Sequence, residues 1–551
     1  MKIARWLVTT VKTKPRLNLQ RPVAIGISVL SLFMFSGIRS ASAAQKSDFE
    51  SVAKLIDLQL GSPTTLTESI DDATFLSRVS LDLVGRRPDA EQVRQFVRSS
   101  DVRKRSIAIQ QLLADPRFGL HWGRYWRDTI LARRSDERAL KLVSTSLTHA
   151  VADRLNQNVG WDQIASDFIT ARGDVRSHGE TALFLAQKGN PEGITAEVSR
   201  IFLGIQIQCA QCHDHPTDQW TREQFHQLAA FFPRVGIRRV RNEEPRNFEV
   251  FSRNNQGRGK KSKNRKKLEY FTPDLAMPDV QGRITKPVFF LTGHSLELGT
   301  QDQIRRQTLA EWLTATEKNP WFARAYVNRI WTELMGWGFY DTVDDIGPER
   351  DCANADILGL LETHFVASGY DTKWLFNTIL STAAYQAISP ATGRIAGPQP
   401  LRGDAVFNNL TQVLQLAGPE RKGGKNQTLA SQKQLQKKRQ VFVQQFFYDP
   451  SLPRSEINPT IPEALLMMNS PQINALIRGD REQTMLGRLL RAEPENKNLV
   501  ETLYLSCLGR FPTDQEERRC LEYMDARGIR REACEDILWS LLNTAAFRQR
   551  N

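Results

Sequence analysis

The sequence of 551 residues predicts a mainly α fold: many helices in two portions, built from helix-turn-helix units with a few short strands. Three observations predict it: apolar residues recur at helical spacing, caps bracket the same segments, and strand-like alternation is sparse. Val198, Ile201, Phe202 and Ile205 follow i, i+3, i+4, i+7, as do Phe225, Leu228, Ala229 and Phe232, and again Val327, Ile330, Trp331 and Leu334. Thr221 with Gln224 forms a capping box before the second of these helices. Asn319-Pro320 supplies an N-cap and an N1 proline for the third, which Gly336 and Gly338 end. The best short strand is Val288 to Leu291.

An internal echo organises the two ends. Leu81-Asp82-Leu83-Val84-Gly85-Arg86-Arg87-Pro88 returns as Leu505-Ser506-Cys507-Leu508-Gly509-Arg510-Phe511-Pro512. In both, glycine closes a helix, proline prevents its continuation, and Asp89 or Thr513 caps the next helix. Arg86 and Arg510 are expected as hydrogen-bond donors at helix ends and loops. An aromatic follows an aliphatic pair three times, at Phe118, Tyr385 and Phe547, twice as Thr-Ala-Ala-aromatic. The domains expected are a front portion at 44–240, a basic flexible insertion at 241–300 and a helical back portion at 301–551. A second polar loop is expected from Arg421 to Gln434.

The N-terminus predicts export. Lys2, Arg5, Lys12, Lys14, Arg16 and Arg21 precede an apolar run from Val23 to Ile38, and Ala41-Ser42-Ala43 fits signal-peptidase cleavage, so residues 1–43 read as a signal peptide. Retention as an uncleaved anchor is the alternative, since the run is near the minimum for a bilayer span. Without the leader the chain is periplasmic or secreted, with no membrane span. The leader also carries much of the formal charge of +14. Much of the remaining excess sits between Arg253 and Lys267 among Asn, Gly, Ser and Gln, without aromatics. That pattern describes a solvated insertion and not a nucleic-acid surface.

Chemistry concentrates at Cys209-Ala210-Gln211-Cys212-His213-Asp214-His215-Pro216. On a helix, Cys209, Cys212 and His213 share one face, as needed to hold two haem vinyl groups as thioethers and present an imidazole to iron. Haem c is therefore the first cofactor expected. Zinc or iron held by Cys209, Cys212, His213 and His215 is a second reading, and a redox disulfide between the two cysteines a third. Met277, His226 and His294 are candidates for a sixth ligand, although His226 lies beside the apolar stripe of its helix. His364 reads as a core histidine, while His121, His149 and His178 have no assigned role. Cys352, Cys507, Cys520 and Cys534 are scattered and serve as apolar fillers or disulfide partners.

Other constellations are weaker. No nucleophile elbow, phosphate loop, dinucleotide fingerprint or His-Glu-x-x-His occurs. Asp344-Asp345 with Glu349 reads as a solvated turn in preference to a catalytic dyad. Arg324, Asn328, Arg329 and Trp331 read as one buried, hydrogen-bonded helix.

The run from Phe202 to Pro216, then Asp218, Trp220 and Leu228-Ala229-Ala230-Phe231-Phe232, resembles the planctomycete secreted cytochrome-like family. So do Asp71-Asp72-Ala73-Thr74-Phe75-Leu76 and Asp115-Pro116-Arg117-Phe118-Gly119. Asn319 to Arg324, Val327-Asn328-Arg329-Ile330-Trp331 and Pro462-Glu463-Ala464-Leu465 are similar to the planctomycete secreted domain usually fused to it. Both families are of unknown function. The motif and its expected compartment, more than the resemblance, point to a c-type haem with an electron-transfer or redox role and an unidentified redox partner protein. The rival expectation is a metal-stabilised extracellular module, hydrolytic or polysaccharide-binding. Relatives often carry a separate cytochrome c domain, whereas one Cys-x-x-Cys-His stands here.

Overall fold

The computed structural model describes residues 48–61, 69–135, 137–241, 246–254, 268–277, 279–315, 319–387, 398–415, 429–446, 449–452, 456 and 460–550. The expected leader at 1–43 and most of the basic run, 255–267, lie outside them. Among the described residues, twenty-three α-helices and nine short strands give the mainly helical fold expected. The strand at Val288–Phe289 forms and pairs with His294–Ser295. A three-stranded antiparallel sheet of Gly173–Asp174, Phe248–Ser252 and Val235–Arg239, in that order, was not expected. Tyr270–Thr272 also pairs with Arg283–Thr285. Five short strands thus lie within the stretch expected as a flexible insertion, and its Glu269 pairs with Arg234 and Arg305 at 2.5 Å each. The loop expected at 421–434 gives way to a helix, Leu429–Gln445; its residues 421–428 lie outside the described set.

Two large apolar cores form, beside two small clusters. The larger runs from Val52 to Tyr385 and draws on residues either side of 241–300, with Trp126, Trp161, Tyr326 and Phe365 stacked through its centre. The smaller joins Leu401 to Phe547 and includes Leu81. Rings of this size dominate core energetics because each buries so much apolar area.

The repeated units fold as their caps dictate. Gly85 and Gly509 close the Asp72–Val84 and Asn496–Leu508 helices at φ 64° and 67°, where a side chain is disfavoured. Asp89 and Thr513 then open the next helices with complete capping boxes to Gln92 and Glu516. Arg510 bonds to Glu516 and to the Phe511 carbonyl, the helix-end role expected of it. Asp115, Thr382 and Thr544 each cap a helical turn whose third residue is the aromatic of the second echo: Phe118, Tyr385 or Phe547. The two units also meet in space, since Ala73 and Leu76 share a cluster with Leu505 and Phe511.

Asp344 is a correction. It is fully buried instead of solvated, and accepts from Arg200 at 2.8 Å, Arg329 at 3.2 Å and Ser451 at 2.7 Å. Against the upward push of burial, Arg200 and Arg329 hold its carboxyl below the usual range. Arg200 also grips Glu197 at 2.6 Å. Buried charges persist when paired and hydrogen-bonded in this way. Arg329 and Asn328, which bonds the Val343 carbonyl, belong to the buried hydrogen-bonded helix expected.

Candidate functional site

That charge node fixes the approach to the cysteines. The Pro191–Val198 helix continues as a π-turn over Ser199–Leu203 and stops at Gly204, which is left-handed at φ 67°. A Cβ there would fall 2.7 Å from Ile346, whose N–H donates to the Gly204 carbonyl at 2.9 Å. The helix expected to run on through Ile205 therefore ends early.

Cys209 sits on a 3-10 helix, Ile207–Gln211, and Cys212 and His213 lie just past it, which corrects the single α-helical face expected. Three residues per turn still places positions 209 and 212 one above the other. Ile207 and Ala210 are buried beneath them, while both cysteines and His213 are exposed. The chain then turns back: the His215 N–H donates to the Trp220 carbonyl at 2.7 Å, and Asp214 Oδ1 accepts from Arg222 N–H at 2.8 Å. Thr221 and Gln224 form the expected capping box at the start of Arg222–Ala229.

Proton positions separate the two histidines. His213 Nδ1 lies 2.7 Å from the Asp214 carbonyl oxygen, which only accepts, so Nδ1 carries the proton and Nε2 keeps its lone pair. His215 Nδ1 instead accepts from the Thr217 N–H at 3.3 Å, which leaves the proton of the neutral ring on Nε2. In this arrangement the His213 Nε2 is the ring nitrogen left open, whereas the His215 Nδ1 is taken up by its own turn. Among the described residues no group of three or more His, Cys, Asp and Glu side chains is placed to hold a metal ion. All six cysteines are free, including Cys209 and Cys212, so the disulfides considered for them are not present. Burial pushes the Cys507 thiol up to about 12.

The three sixth-ligand candidates part company. His226 is buried, with Nε2 3.1 Å from the Gln211 carbonyl and Nδ1 2.8 Å from the Tyr270 hydroxyl. Both ring nitrogens are engaged, so it packs as a core histidine. His294 is exposed on its strand, bonded to Thr292 Oγ1 and tilted over Trp312. Met277 is 53% exposed, and its loop is tied to the motif because Arg222 donates to the Pro273 carbonyl at 2.6 Å. His364 is half-buried over Trp374 and His121 is buried against Arg402, whereas His149 and His178 are exposed.

Sequence reading missed the chain behind the motif. Tyr270 lies 2.9 Å from Glu192 Oε1 as well as against His226. The hydroxyl donates to Glu192 Oε1, and its oxygen lies 2.8 Å from His226 Nδ1. Burial, with Arg222 nearby, pushes His226 down, and burial beside Glu192 pushes Tyr270 up. This chain holds the Gln211 carbonyl between the two cysteines. Asp218, beside His215 and Arg350, is pushed up by burial, and one of its oxygens has no partner.

Residues 56–236 match the family model PSCyt2, a protein of unknown function (DUF1549), and residues 305–399 match PSD1, a protein of unknown function (DUF1553). The chain thus carries the planctomycete secreted cytochrome-like domain followed by the planctomycete secreted domain. No curated protein and no solved structure matches it. Both families are named as secreted, and among the described residues no helix is long and apolar enough to cross a membrane.

Proposed function

We propose that Cys209 and Cys212 hold a haem c covalently, that His213 is its axial ligand, and that the exported chain serves one-electron transfer. The supporting observation is the donor set: two free, exposed thiols beside an imidazole whose Nδ1 is tied to the Asp214 carbonyl and whose Nε2 is left open. A bound haem supplies an iron couple whose potential depends on axial ligands, hydrogen bonds and burial. The chain's own residues do the positioning. Asp214 orients His213 through its carbonyl and holds the following helix through its carboxylate, while His226 fixes Gln211. Met277, whose loop is bonded to the same turn through Arg222, would be the thioether available to a bound haem.

The test is expression with the cytochrome c maturation machinery, haem staining after denaturing electrophoresis, and a reduced-minus-oxidised spectrum. Stain that survives denaturation and disappears in C209A/C212A is expected, with H215A still stained. A colourless wild-type protein from a competent host overturns the reading. Stoichiometric zinc lost in H215A would establish the metal-module rival instead.

A further inference from the structure

A second site lies away from the cysteines. A cleft of about 960 Å³ opens between the Pro116–Leu131, Glu137–Asn156 and Leu429–Gln445 helices, within the size range of small-molecule sites. Six cationic side chains line it against two carboxylates, Asp128 and Asp404, while Leu131, Leu435 and Val443 supply an apolar wall.

The charges converge. Asp404, 6% exposed at its side chain, receives Arg127 at 2.8 Å and Arg439 at 3.0 Å, with Arg124 at 3.7 Å. Arg127 is also bonded to Asp128, and Arg439 to Asn408. Arg124 differs from both. Its 3.7 Å approach is beyond hydrogen-bonding distance, and among the described residues no hydrogen bond engages it. Burial, with Arg439 and Arg127 as like charges, pushes it down to about 10 despite Asp404. Burial also pushes the Asp128 carboxyl up, while Arg127 pairs with it at 2.7 Å. A guanidinium held only at 3.7 Å from its counter-charge, crowded by cations and facing a cleft, is stabilised by a planar or tetrahedral oxyanion.

We propose that this cleft binds an organic anion, whose carboxylate, sulfate or phosphate group is held by Arg124 and Arg439 and whose apolar body lies along Leu131, Leu435 and Val443. Lys141 and Lys437, both exposed at the rim, steer the anion in. The site is independent of the cysteine motif and of any haem there.

Calorimetric titration of the full chain tests it, with benzenesulfonate, benzoate and phenyl phosphate as organic probes, inorganic sulfate and phosphate as bare head groups, and neutral benzenesulfonamide as control. At least one organic anion binds more tightly than the inorganic ions, the sulfonamide does not bind, and the ranking of the three identifies the head group. Arg124→Gln weakens that binding about tenfold, the worth of one charge-assisted hydrogen bond, with an unchanged circular dichroism spectrum. Should that variant fail to fold, Lys141→Gln/Lys437→Gln, altered only at exposed side chains, lowers the association rate and its salt dependence instead. No binding of any organic anion at about 10 mM, far weaker than specific recognition requires, overturns the proposal. So does wild-type affinity in a folded Arg124→Gln.

Discussion

The helix pair at 72–98 and the pair at 496–527 are written on one template and buried differently. In the first, Asp72–Val84 hides eleven of its thirteen residues, including Arg78 and Asp82; in the second, Asn496–Leu508 hides seven, six in the smaller core and Leu505 against the front unit. Their following helices bury only Val93 and Met524. Caps and turns are thus local properties that recur with the sequence, whereas burial is decided by neighbours. The front helix is covered on its polar side too, by Arg550, Tyr385 and the back unit itself.

Breaking the buried polar side separates the units most. Asp82 accepts from Arg550 and from the Tyr385 hydroxyl, each at 2.6 Å, inside the protein. Asp82→Ala strands the Arg550 charge and is expected to cost about 3–5 kcal/mol. Ser506→Ala, at the matching half-buried position, stays within about 0.5 kcal/mol. Denaturant midpoints of the two variants check the contrast, and equal losses would dissolve it.

The closing glycines give a smaller difference. A Cβ on Gly85 would fall 2.3 Å from His121 Nδ1, in a ring that Arg402 holds at 2.9 Å, whereas a Cβ on Gly509 meets the Ser77 hydroxyl at 2.4 Å. Both alanines bear the left-handed penalty, and only the front one forces a ring to move. Gly85→Ala is expected to destabilise by about 2–4 kcal/mol and Gly509→Ala by about 1–3 kcal/mol, read as melting temperatures.

The smallest effect belongs to acid. Hydrogen bonds from Arg510 hold the Glu516 carboxyl down to about 2, below its unfolded value of 4.5. A carboxylate lowered on folding stabilises above its unfolded value and loses that contribution as pH falls through its folded one. Stability of the wild type relative to Glu516→Gln should fall between about pH 4.5 and 2, by under 1 kcal/mol for so exposed a pair. The matching residue of the front unit is the uncharged Gln92, which predicts no such slope there.

What could be read from the chain follows the same division. Glycine, proline and capping residues gave the helix ends at 85, 336 and 509 and the starts at 89, 221 and 513, because those signals act within four residues. The Cys-x-x-Cys-His spacing located the candidate site. Its 3-10 geometry stayed hidden, since Gly204 closes the preceding helix under Ile346, far away in sequence. The different Nδ1 partners of His213 and His215 also depend on backbone turns that spacing does not encode. Asp344 was misread because its partners Arg200 and Ser451 lie more than a hundred positions away on either side. The Phe248–Ser252 strand carried some alternation in Phe248, Val250 and their neighbours, but its pairing with residues 173 and 235 required the fold.

The partition of the six thiols has a consequence for timing. Cys507 and Cys534 are sealed inside the smaller core, while Cys209 and Cys212 stand at the surface on a turn secured by backbone hydrogen bonds. Under the haem attachment proposed above, an attaching enzyme would reach the outer sulfurs of a chain that has already folded, and burial would shield the inner ones. On that proposal maturation and folding are separable events, with the finished architecture choosing which cysteines react.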